Sequence, residues 1–212
     1  DLADNIAEIE NADEEMVVRY PVLYKYIEKH LYLLEKMNNI AIANIATQKE
    51  AVDGESIFFA STHYIEKELE GTANAKKQST INRVLNMFCS LGLIEKVSAK
   101  KVPSHMIARA MRKIANEDYH FIVTFYRIPE MTTEILLEAE KRVMKLKKAK
   151  VSALQISTSN LEKILGKRIF NAVYNDTVDL INIIKDTKAD RADEYKERRE
   201  ARKRGEFTDM PL

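Results

Sequence analysis

The sequence predicts a mainly α-helical protein with a small β-hairpin, and three observations carry that prediction. Apolar residues recur at three- and four-residue spacing over most of the chain, as on one face of a helix. Glycine and proline are scarce, five and four in 212 residues, which suits long helices with few tight turns. One stretch, His120 to Ile128 (HFIVTFYRI), is dense in β-branched and aromatic side chains and reads as a strand closed by Pro129. With 45% apolar and 32% charged residues the composition is globular rather than disordered, and the length suffices for one or two domains with a substantial core.

Residues 1–20 form an acidic N-terminal segment. A helix is predicted from Pro21, which suits a first turn, to about Met37, with Leu23, Tyr26, Ile27, His30, Leu31 and Leu34 on one side and Asn38-Asn39 as its end. IAIANIATQKEAV reads as a second helix and Asp53-Gly54 as a turn. Ile57-Phe58-Phe59 is a short strand candidate. Ser61-Thr62 is a cap, with Glu66 near enough to support the first turn of a helix that stops at Gly71.

The stretch STINRVLNMFCSLGLIEKV is the most informative. Ser79 is the expected N-cap, Ile81, Val84, Leu85, Phe88 and Leu91 keep helical spacing, and Gly92 supplies the left-handed residue that ends a helix without steric penalty. Leu93 and Ile94 bury the turn, and Ile94 to Val97 alternates as a strand does. About twenty residues, containing a short helix in SHMIARAMRKIA, separate Val97 from His120. Beyond Pro129, residues 130–186 read as a helical region. It holds a helix over Glu130 to Lys148 with Ile135, Leu136, Ala139, Val143 and Leu146 inward, then two more helices around a turn at Gly166. Residues 187–212 are a charged tail.

Charge is segregated although the net value is only +1. The first fifteen residues hold seven acids and no base, whereas Lys76 to Lys113 hold nine bases against Glu95 alone, which points to a polyanion-facing side. Lys141 to Lys150 add six bases, readable either as a solvated helix end or as a second contact with a polyanion.

The order helix, strand, helix, turn, helix, strand, excursion, strand follows the winged helix-turn-helix plan for residues 21–129, here with an enlarged wing. Ser79, Thr80, Ile81, Arg83 and Leu85, followed by Leu91-Gly92-Leu93-Ile94-Glu95-Lys96-Val97, resemble the pattern of bacterial winged-helix regulators over about Ser56 to Ile128, roughly a third of the chain. The resemblance implies a sequence-specific double-stranded DNA-binding protein, by default a transcriptional regulator. Control of plasmid or phage replication and a protein-interaction scaffold are the alternatives. A helix that reads DNA is apolar inside and hydrogen-bonding outside: Asn and Gln pair with adenine edges, Arg with guanine edges or phosphate, and hydroxyls with phosphate. The expected contacts are Gln78, Ser79, Thr80, Asn82, Arg83 and Asn86 for the helix. Lys76, Lys77, Lys96, Lys100, Lys101, Arg109, Arg112 and Lys113 are the expected phosphate ligands. A homodimer joined through Met131 to Lys185 would read paired half-sites, and SNLEKILGKRIFNAVYND is either a second, shorter helix-turn-helix or a packing module that offers a protein partner its helices.

Other chemistries find little footing. His30, His63, His105 and His120 are scattered without zinc spacing, and neither a glycine-rich phosphate loop nor a Gly-x-Ser-x-Gly turn occurs, so neither an enzyme nor a cofactor is expected. The single Cys89 sits on an apolar helix face and suits a reducing, cytoplasmic setting. No apolar run approaches the roughly 18 residues of a membrane span, and the acidic opening is unlike a secretion signal.

Overall fold

The computed structural model describes residues 19–48, 51–52, 55–108, 110 and 124–174. Helix α1 (Pro21–Ile27) starts on Pro21, passes through a 3-10 turn at Glu28–His30, and is followed by α2 (Leu31–Gln48). The expected break at Asn38-Asn39 is therefore displaced to residues 28–30. Met37, Ile40 and Ala41 are buried on one side of α2 while Asn39 is exposed and Asn38 half-buried, so the two asparagines sit within an unbroken helix. The predicted second helix also ends earlier than expected. Ala51–Val52 (β1) pairs antiparallel with Glu55–Ser56 (β2), around the predicted Asp53-Gly54 turn, which lies outside the described residues.

Strand β3 (Phe58–Ala60) leads into α3 (Thr62–Leu69), whose N-cap Ser61 accepts a hydrogen bond from the Tyr64 amide at 3.1 Å. After a polar loop comes α4 (Gln78–Leu91), then β4 (Glu95–Lys96), a 3-10 turn at Ala99–Lys101, a helical piece at 104–108, and β5 (Thr124–Arg127). The strands form one antiparallel sheet in the order β3-β5-β4, with Phe58 opposite Tyr126, Phe59 opposite Phe125, and Glu95 opposite Arg127.

Both faces of this sheet are covered. Phe58 and Tyr126, their rings 5.9 Å apart, face the main core. Phe59 and Phe125, also 5.9 Å apart, face a smaller cluster with Ile57, Ala99, Val102, Met106 and Ala110. The segment after β4 is thus fastened to the back of the sheet by its apolar side chains. Burial on both faces also explains why the sequence around β3 and β5 reads as apolar runs instead of an in-out alternation, whereas β4, a Glu-Lys strand at the edge, keeps the alternation.

The C-terminal half comprises α5 (Thr133–Lys148), a 3-10 turn at Ala153–Gln155, α6 (Thr158–Leu165) and α7 (Lys167–Tyr174), the last two joined by Gly166 alone at φ +91°. The main core runs without interruption past residue 130. Leu23, Ile65, Leu85 and Phe88 share one apolar cluster with Ala139, Val143, Leu146, Leu161 and Val173. Polar ties cross the same boundary. The Glu140 carboxylate accepts from the amides of Val22 (3.2 Å) and Leu23 in the first turn of α1, and the Tyr26 hydroxyl donates to the Val151 carbonyl at 3.0 Å. A carboxylate at a helix N-terminus satisfies orphan amide donors and meets the positive end of the helix dipole. Glu140→Ala is expected to cost about 1–2 kcal/mol, a fall of roughly 3–6 °C in Tm for a chain of this size, read by thermal denaturation. An unchanged Tm would mean that α1 needs no cap from α5.

Candidate nucleic-acid interface

Helix α4 is built from two unlike halves. In the first, Ile81, Val84 and Leu85 are buried while Ser79, Asn82 and Arg83 are exposed and Thr80 is half-buried, the division an amphipathic surface helix requires. In the second, Met87, Phe88, Cys89, Ser90 and Leu91 are all buried. Five consecutive buried residues cover every side of a helix, so this half is enclosed. The enclosure comes from α3 on one side and from α5, the Ala153–Gln155 turn and α7 on the others.

Side-chain contacts set both ends. Gln78 Nε2 donates to Glu66 Oε2 at 2.8 Å and lies 3.3 Å from His63 Nδ1, which ties the start of α4 to α3. Glu66 therefore serves the next helix as well as the first turn of its own, where its Oε2 lies 3.8 Å from His63 Nδ1. The N-cap falls two residues before the expected Ser79, on Lys77, which makes no side-chain cap. Ser79 is consequently an outward residue of the first turn. At the far end Gly92 adopts φ +84°, the Leu93 amide reaches back to the Phe88 carbonyl at 3.0 Å, and Arg142 Nη1 donates to the Ser90 carbonyl at 3.2 Å. Glycine is needed there for its dihedral, and a Cβ would also crowd that guanidinium at 3.2 Å.

The predicted contacts separate into three groups. Lys76, Lys77, Ser79, Asn82 and Arg83 are exposed around the first turns of α4, and among the described residues Arg83 has no hydrogen-bond or ion-pair partner. Gln78, Asn86 and Lys96 are engaged inside the molecule: Lys96 Nζ donates to Asn86 Oδ1 at 2.9 Å and to the Val173 carbonyl at 2.7 Å. Lys100 and Lys101 are exposed on the turn that Ala99 and Val102 anchor to the sheet, with further interactions of their own. Arg109, Arg112 and Lys113 lie outside the described side chains. Sequence reasoning missed Arg142, which a six-base run disguised as a solvated helix end, and Val173, whose part is played by a backbone carbonyl and leaves no mark in the residue type.

Neighbouring acids are partly neutralised. Glu68 pairs with Lys36 at 3.1 Å, Glu95 with Arg127 through Nε at 2.6 Å, and Glu66 is held by Gln78. Lys76 also acts on His30, whose Nδ1 is buried without a partner among the described residues. Burial first, then Lys29 and Lys76, hold that imidazole below its ordinary pKa and favour its neutral form. The described residues contain no group of three or more His, Cys, Asp or Glu that could hold a metal ion, and none of their helices is long and apolar enough to cross a membrane.

Compared with known proteins, the chain matches no family model, no curated protein and no solved structure.

Proposed function

We propose that the protein binds double-stranded DNA with sequence preference, as a winged helix-turn-helix protein of the cytoplasm whose first role is transcriptional regulation. The observation that carries this reading is the projecting half of α4: Ser79, Asn82 and an Arg83 without a partner among the described residues, with Lys76 and Lys77 at its start. Those residue types suit base edges and phosphates, and the amino end of a helix favours an anion. The strand order β3-β5-β4, with α3 and α4 between the first and second strands, supports the winged-helix assignment. The fastened segment after β4 is unlike a simple free wing, and with the closely joined pair α6–α7 it favours replication control as the second role. A homodimer would present two copies of α4 to paired half-sites, with the exposed Leu137 and Met144 of α5 at the contact.

The test is binding of the full chain to a pool of random duplexes at 50 and 200 mM salt. Six to ten phosphate contacts would lower affinity by about 10³- to 10⁵-fold between those concentrations, and selection from the pool would return a preferred sequence. A chain that leaves duplex DNA unbound at low salt would instead be a docking scaffold.

A further inference from the structure

We propose that Lys96 is a positioning residue of the α4 interface, holding α7 against the enclosed half of that helix, and that it is not a phosphate ligand. The inference deepens the DNA-binding reading and rests on it for the function, while the clamp itself rests on geometry alone.

Lys96 stands on β4, beside the sheet's central strand. Its ammonium reaches Asn86 Oδ1 on α4 at 2.9 Å and the Val173 carbonyl on α7 at 2.7 Å. Two of its three N–H donors are thereby spent, and the side chain is half-buried, so turning it toward a phosphate would break two charge-assisted hydrogen bonds and strip a buried carbonyl of its donor. No short-range element makes this junction: Lys96 and Val173 are 77 residues apart, and the single ammonium links a strand, the candidate DNA-reading helix and the last described helix. Val173 itself is fully buried in the same core as Phe88 and Leu91. The clamp lies at the boundary between the enclosed and projecting halves of α4, one turn beyond Arg83. It therefore marks how much of the helix can enter a groove: about its first two turns, end-on, rather than its whole length.

The variants Lys96→Met and Asn86→Leu separate a clamp from a phosphate contact. Methionine keeps the length of the stem without the charge. Hydrogen exchange of the free protein is read over residues 167–174, alongside duplex affinity over a range of salt. The expected result is exchange about tenfold or more faster across α7 in Lys96→Met, a smaller rise in Asn86→Leu, which leaves the bond to the Val173 carbonyl in place, and a double variant little worse than Lys96→Met alone, because losing the ammonium already removes the Asn86 bond. Duplex affinity is expected to fall several-fold with the slope of log affinity against log salt unchanged. Two results would overturn the proposal: a salt slope reduced by about one in Lys96→Met, which marks a lost phosphate contact, or unchanged exchange over 167–174. If the wild-type chain does not bind duplex DNA, the DNA reading fails, while the exchange measurement still decides whether the clamp exists.

Discussion

Replacing Arg83 by alanine is expected to weaken binding to the preferred duplex by about 1–3 kcal/mol, roughly 5- to 150-fold, and to relax sequence preference at the base pairs it faces. Arg83 is exposed on the projecting half of α4 and has no partner among the described residues, so its removal leaves no buried group stranded. The loss measured would then be a loss of contact with DNA rather than of folding. Lys77→Ala supplies the contrast. A lysine at the start of the helix meets phosphate as a point charge, so that variant is expected to weaken all sequences alike and to lower the salt slope by about one. Competition titrations with preferred and scrambled duplexes read both effects. An Arg83→Ala chain with wild-type affinity and selectivity would remove α4 as the reading element.

Phe88→Ala is expected to be the most damaging single change to stability, at about 3–5 kcal/mol. Phe88 is fully buried at the centre of the enclosed half of α4, in the cluster that joins the helices before the sheet to α5, α6 and α7. Deleting its ring loses transfer free energy and leaves a cavity that elements fixed by Gly92, Arg142 and Lys96 cannot close. Against a total stability of about 5–15 kcal/mol typical of native proteins, such a loss is large. Urea denaturation would show a lower midpoint with an unchanged slope. A change below about 1 kcal/mol would mean that the two halves of the chain do not share one core.

How far local sequence reaches is clearest within α4 and its turn. Helical spacing placed Ile81, Val84, Leu85, Phe88 and Leu91 inward, and they are buried; Gly92 was expected in the left-handed region, and it is there at φ +84°. Both depend on interactions within a few residues. Ser61 as a cap and the strands around Phe58, Glu95 and Phe125 were legible for the same reason. Helix ends were less so. Asn38-Asn39 carries a stop signal that burial of Met37, Ile40 and Ala41 overrides, and Ser79 lies one residue inside the start because Gln78 is tied to α3.

By itself, then, the sequence determined the mainly helical class with its small antiparallel sheet, the amphipathic halves of the helices, and the segregation of acids from bases, because periodicity and composition are properties of neighbours along the chain. Only the tertiary structure decided which polar residues remain available. Asn86 and Lys96 resemble Asn82 and Arg83 as residue types, yet Lys96 is taken up by donating to Asn86 Oδ1 and to the Val173 carbonyl, while Asn82 and Arg83 are left outward. Arg142 likewise leaves its basic run to meet Ser90, 52 residues away. The segment after β4 turns Val102 and Met106 onto the back of the sheet instead of standing free. In each case the deciding partner is distant in sequence, and a buried donor or acceptor must find a partner wherever the fold supplies one.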